Sequence, residues 1–269
     1  AINIFKEFSM LNPGRLAGYF GFTEEEVKKL CEKYGVDYGE TQKWYDGYLL
    51  GGMHIYNPQA VTELTDSGRF QSYWTGTETY EALKIYIDLN FDGLKEAIIR
   101  MLSDMRCKID PSTCQNDMTT FGNKDDVLTL LLHLGYLSFD ETTGEVFIPN
   151  QEIAREFLRS VRAGGWEGLV RALNRSEELL RKTWEMDGEA VAEEIALIHD
   201  ETASMLKYNS EHSLTCTVLM AYYSARIYYM NPLMELPSGK GFADVVYLPR
   251  RNVDKPALVV ELKLKKSAE

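Results

Sequence analysis

Two short apolar runs near the end of the chain constrain its fold more than anything else in it. The first is Phe242-Ala243-Asp244-Val245-Val246-Tyr247-Leu248 and the second is Ala257-Leu258-Val259-Val260-Glu261-Leu262-Lys263. A polar turn from Pro249 to Pro256 joins them, so the pair reads as strands of a β-hairpin or meander. Side chains alternate along a strand, which puts Glu261 and Lys263 on one face and Leu262 on the other. Asp244 sits early in the first strand and Glu261 late in the second, so antiparallel pairing brings the two acids together. Charge at the end of an apolar strand is not expected without a reason. Two carboxylates on neighbouring strands suit a hard cation such as Mg²⁺, which takes oxygen ligands at about 2.0–2.1 Å and keeps several waters. A lysine beside them can orient or help deprotonate a water and offset phosphate charge. The chemistry that needs this set is metal-assisted phosphodiester hydrolysis.

The spacing Asp-x16-Glu-x-Lys, with Gly239-x-Gly241 before the first strand, resembles the active-site signature of the PD-(D/E)XK nuclease superfamily. The resemblance implies Mg²⁺ or Mn²⁺ as cofactor, held by Asp244, Glu261 and the Leu262 carbonyl. It implies Lys263 as the residue that positions water and nucleic acid as substrate, DNA ahead of RNA. Members usually add an acid from a preceding helix. Glu211, at the start of the helical run from Glu211 to Tyr222, is the candidate, with Glu235 behind it. A first-turn acid favoured by the helix dipole explains Glu211 equally well.

Charge weighs against that reading. With 29 Lys and Arg against 41 Asp and Glu, the formal net charge is −12. Phosphate contacts are made by Lys and Arg, so non-specific binding to nucleic acid is disfavoured. The basic residues do gather in the tail, at Lys240, Arg250, Arg251, Lys255, Lys263, Lys265 and Lys266. No apolar run is long enough to cross a membrane. The start lacks the features of a signal peptide. The cysteines Cys31, Cys107, Cys114 and Cys216 form no CxxC pair. Cys107 and Cys114 could bridge, but buried thiols are the preferred reading, and a cytoplasmic location follows.

Along the chain, Thr23 and Glu26 form a capping box for a helix that breaks at Gly35. Asn57 caps a helix whose first residue is Pro58. Helices are expected over 79–90, 92–105, 151–161, 166–173, 176–186, 188–206 and 211–229. A helix from Asp125 to Leu134, with strands at 136–139 and 145–149, resembles the end of a winged helix. His133 reads as a core histidine. The helix is Leu-rich and the wing acidic, so a structural role is preferred to DNA binding.

The segments GFTEEEV (21–27), WYDGY (44–48), IYNP (55–58) and YWTGT (73–77) resemble the region after the ATPase core in a bacterial AAA-ATPase-like family. Proteins of that family commonly end in a PD-(D/E)XK nuclease-like domain. The chain has no GxxxxGK[ST] loop, so no ATP binding or hydrolysis is expected of it, and the missing ATPase core is an expected partner. The expected fold class is α+β and mostly helical. It comprises a helical module (1–124), a winged-helix-like unit (125–150), a helical linker bundle (151–206) and a nuclease-like α/β domain (207–269), cut short at its C-terminus. The expected function is Mg²⁺-dependent nucleic-acid hydrolysis. The alternatives are a non-enzymatic regulatory or protein-interaction module of a larger ATPase, and DNA binding through the wing.

Overall fold

The computed structural model describes residues 8–74, 79–89, 91, 93–113, 121–203, 211–238 and 241–263. The protein is α+β, with three small antiparallel sheets among the described residues. It divides into two compact units: residues 1–94 with 106–164, and residues 95–105 with 165–269.

The first unit begins with β1 (Phe22–Thr23) and α1 (Glu24–Tyr34). The Thr23 hydroxyl accepts from the Glu26 amide, and the Glu26 carboxylate accepts from the Thr23 amide at 2.8 Å, so the expected capping box is present. After α2 (Tyr38–Tyr45) come the hairpin strands β2 (Tyr48–Leu50) and β3 (Met53–Tyr56), with β3 central between β1 and β2. Asn57 caps α3 (Pro58–Ser67), accepting from Gln59 at 2.9 Å, and Pro58 takes the position where a missing N–H costs nothing. These elements bury Val27, Cys31, Trp44, Tyr45, Tyr56, Val61 and Leu64 in one core. The WYDGY aromatics therefore pack, as their density suggests. Gly47 is required there: its φ is +109°, and a Cβ would stand 2.0 Å from the Pro149 carbonyl oxygen.

The unit continues with α4 (Thr79–Ile87) and, beyond α5 (Leu94–Leu102), with β4 (Cys107–Lys108), α6 (Lys124–His133), β5 (Ser138–Asp140), β6 (Glu145–Phe147) and α7 (Gln151–Ala163). The expected helices 79–90 and 92–105 are thus shorter than the pattern suggested. The helix and hairpin at 125–150 are present as α6, β5 and β6, and β4 adds to the far edge of β6. Every residue of α6 from Asp126 to Leu132 is buried. A helix that reads DNA must offer a face to a groove, so this burial supports a packing role. His133 is half-buried rather than in the core. Cys31, Cys107 and Cys216 lie buried, while Cys114 lies outside the described residues.

In the second unit α8 (Glu167–Trp184) runs unbroken where the sequence suggests two pieces. Arg171 and Arg175 tie it to α9 (Gly188–Ala203) through Glu201 at 3.0 Å and Glu194 at 3.2 Å. The helix expected over 211–229 stops earlier, as α10 (Glu211–Ala221) and then a 3-10 stretch, Tyr223–Ile227. The Ser224 amide is taken by the hydroxyl of Ser176, buried on α8, at 2.7 Å, so it is unavailable to the helical ladder. The Arg226 guanidinium lies over the Tyr223 ring at 3.8 Å and donates to the Leu102 carbonyl at 3.1 Å and to Asp104 at 2.8 Å. That clamp holds the end of α5 within this unit. The last sheet is β7 (Leu233–Ser238), β8 (Gly241–Tyr247) and β9 (Leu258–Val260), with β8 central and both pairings antiparallel. Val245, Tyr247, Leu258, Val260 and Leu262 pack on a core built with Leu179, Leu180, Ile198, Val218 and Tyr222.

Candidate active site

The register of β8 and β9 positions the candidate residues. Tyr247 pairs with Leu258, Val246 with Val259 and Val245 with Val260. Asp244 and Glu261 are the next residues outward from that last pair, past the end of the ladder. The core takes Val245, Tyr247, Leu258, Val260 and Leu262. By alternation Asp244, Glu261 and Lys263 belong to the outer side of this strand pair. The sequence-predicted acids therefore both adjoin the last ladder pair, with the predicted lysine two residues beyond Glu261.

Their environments differ. Asp244 is half-buried, and its Oδ2 accepts from the Leu262 amide at 2.6 Å. A charge-assisted bond of that length is strong. It captures an amide beyond the last ladder pair, which is why β9 ends at Val260 rather than at Lys263 as the apolar run suggests. The Glu261 side chain is 62% exposed and that of Lys263 85% exposed, with 3.7 Å between carboxylate and ammonium. An ion pair so open to water is worth about 0–1 kcal/mol. Glu235 falls opposite Asp244 on the other side of β8, between the pairs Met234–Val245 and Leu236–Ala243, and its φ of +51° interrupts that ladder. Glu211 is the first residue of α10, and its side chain lies outside the described residues. Among the described residues no three His, Cys, Asp or Glu side chains come together as a metal cage. What the outer side offers is two carboxylates, one amide-anchored and one free to move, with a lysine.

A second acid pair, in the first unit, escaped the sequence reading. Glu152 and Glu156 are 2% and 0% exposed on α7. Glu152 Oε1 accepts from the amides of Tyr73 at 2.7 Å and Trp74 at 3.2 Å, and Glu156 Oε1 accepts from the Ser72 hydroxyl at 2.9 Å. Burial pushes the Glu152 carboxyl up to about 7, against the pull of the two amides, and the Glu156 charge adds to the rise. The available signal was the four-residue spacing inside an apolar helix face, with Ile153 and Phe157 as neighbours. Trp74 also walls a cavity of about 210 Å³ with Tyr48, Leu50, Tyr56 and His133.

No described helix is long and apolar enough to cross a membrane. In comparisons with known proteins, no protein family and no solved structure matches the chain. Over 70 residues the chain is 36% identical to the "Uncharacterized protein in vnfD 5'region" of Azotobacter chroococcum mcd 1. The aligned stretch is 24% of this chain and 14% of that protein, so the chain spans well under two thirds of the relative's length.

Proposed function

We propose that the second unit is a metal-dependent phosphodiester hydrolase of the PD-(D/E)XK kind, acting on nucleic acid, DNA ahead of RNA. The supporting observation is that Asp244 and Glu261 adjoin the last β8–β9 pair, Val245–Val260, on the side away from the core, with Lys263 two residues on. The order α10, β7, β8, β9, a helix followed by an antiparallel meander, fits the front of such a core. In the same reading the chain works beside an ATPase core of the family it resembles.

The donor set fits a hard cation that keeps most of its own water. Asp244 and Glu261 would hold Mg²⁺ or Mn²⁺, with the Leu262 carbonyl as a further oxygen. When bound, the ion supplies a more acidic water and neutralises charge on the phosphate. The protein's own groups divide the remaining work. The amide of Leu262 fixes Asp244, so one carboxylate is held in place before any ligand arrives. Glu261 keeps its freedom to turn toward the cation. Lys263 donates to the attacking water or to a phosphate oxygen and offsets its charge.

Mn²⁺ titration by calorimetry tests the reading, with Asp244→Asn as the decisive variant. Asparagine keeps an oxygen for the Leu262 amide and removes the charge. Loss of Mn²⁺ binding and of Mn²⁺-dependent cleavage, with stability retained, is expected. Unchanged Mn²⁺ affinity in Asp244→Asn sinks the proposal. A second reading, a protein-interaction scaffold, draws on the Asp244–Leu262 bond, which alone gives that aspartate a structural use. It predicts no Mn²⁺ binding by the native chain and a stability loss in Asp244→Ala.

A further inference from the structure

The acids on the outer side of β8 and β9 have apolar neighbours that the core does not use. Phe242 is 66% exposed and Val259 is 64% exposed. Phe242 lies two residues before Asp244 on the same strand, so it shares that side at a spacing of about 6.8 Å. Val259 likewise precedes Glu261 by two. The outer positions of β8 run Val246, Asp244, Phe242, with Val246 facing Val259; Glu261 and Lys263 follow Val259 beyond the end of β9. An exposed phenyl ring thus stands one outer position beyond Asp244 on β8.

This row matches the chemistry of a nucleotide whose base is free. A phosphate belongs at the acids and their cation, and a flat base belongs on the ring. In a duplex both faces of each base are covered by its neighbours, and only edges reach the grooves. A ring on a sheet surface reaches a base face only where the strand is single or the base is turned out, which is how aromatic side chains on sheets bind single strands. Charge points the same way. Among the described residues on this outer side, one cation, Lys263, stands with two acids, and the chain as a whole is at −12. Duplex affinity is drawn chiefly from many Lys and Arg contacts to phosphate. Stacking supplies affinity that does not depend on such contacts.

We infer that the site takes single-stranded or unpaired nucleic acid and that Phe242 positions it by stacking on a base next to the phosphate cleaved. The inference rests on the hydrolase reading above and narrows its substrate. The test uses the whole chain, a fluorescent oligothymidylate, a duplex of the same length and Mn²⁺. The single strand is expected to bind the native protein at least about tenfold more tightly than the duplex. Phe242→Ala is expected to lose about tenfold or more of single-strand affinity, to keep native Mn²⁺ affinity, and to be rescued by Phe242→Trp. Equal binding of single strand and duplex, or unchanged single-strand affinity in Phe242→Ala, overturns the inference while native Mn²⁺ binding leaves the hydrolase reading standing. Loss of Mn²⁺ affinity in Phe242→Ala, or failure of the Trp variant to rescue, makes Phe242 structural and also overturns it. Absence of Mn²⁺ binding by the native chain removes the hydrolase reading itself.

Discussion

The two acid pairs of this protein are alike in composition and opposite in setting. Glu152 and Glu156 lie four residues apart on one helix and are buried; Asp244 and Glu261 lie on neighbouring strands and share an outer side. The helical pair is bonded within the fold, although Glu156 Oε2 is buried without a hydrogen-bond partner among the described residues. Its oxygens accept the amides of Tyr73 and Trp74 and the hydroxyl of Ser72, and so hold that segment against α7. The strand pair is used on one side only, where the Leu262 amide meets Asp244, and Glu261 remains in water. What an acid does is therefore set by what surrounds its oxygens. Buried and surrounded by donors, it is a fastener; half-open beside a second acid, it can take a cation.

The contrast can be broken by experiment, most strongly at Glu152. Replacing Glu152 by Ala leaves two part-buried amides without their acceptor, and each such loss costs about 1–3 kcal/mol. The first unit should lose about 4 kcal/mol of stability, read as a lower midpoint in urea unfolding. A change below about 1 kcal/mol would show that Tyr73 and Trp74 reach water, and the fastener description would fail.

Titration gives the next effect. The Glu152 carboxyl is raised in the folded protein to about 7, above its ordinary 4.5. The folded state therefore holds more protons than the unfolded state between these values. Stability from this group is fully present below pH 4.5, falls as pH rises from 4.5 to 7, and is flat above. The difference is about 3 kcal/mol. Glu152→Gln, which cannot titrate, should flatten that part of the stability curve. A curve of unchanged slope would place the proton elsewhere.

The strand pair should respond less in stability and more in binding. Asp244→Ala removes one charge-assisted bond from a half-buried position and should cost about 1–2 kcal/mol. Glu261→Gln, at an open surface, should change stability by less than about 0.5 kcal/mol, yet abolish Mn²⁺ binding in the same titration. If Glu261→Gln costs as much stability as Glu152→Ala, the two pairs do not differ as described.

The parts of this fold legible in the sequence are local. Thr23 with Glu26 and Asn57 with Pro58 each name a helix start, because a cap is settled within four residues. The two apolar runs of the tail become β8 and β9, and their period of two sets the outer side on which Asp244, Glu261 and Lys263 belong. The misread parts are fixed by distant neighbours. The end of α10 depends on the hydroxyl of Ser176, 48 residues away. The end of β9 depends on the carboxylate of Asp244, 18 residues from the amide it binds. Glu152 and Glu156 share an apolar helix face with Ile153 and Phe157, but the partners that use them, residues 72–74, lie 78 to 84 residues away. Phe242 was visible as part of a strand, but its exposure depends on which side of the sheet the helices cover.

The Arg226 clamp bears on how the C-terminal unit can be made. Leu102 and Asp104 leave the ribosome well before Arg226, and residues 106–164 of the first unit are synthesised in between. The unit cannot close while its later residues are still being added, and its earliest piece must wait without its partner. A fragment beginning at Gly165 would present the Arg226 guanidinium with neither the Leu102 carbonyl nor the Asp104 carboxylate. To obtain the tail alone, residues 95–105 have to be supplied with it, as a fused segment or as a second peptide.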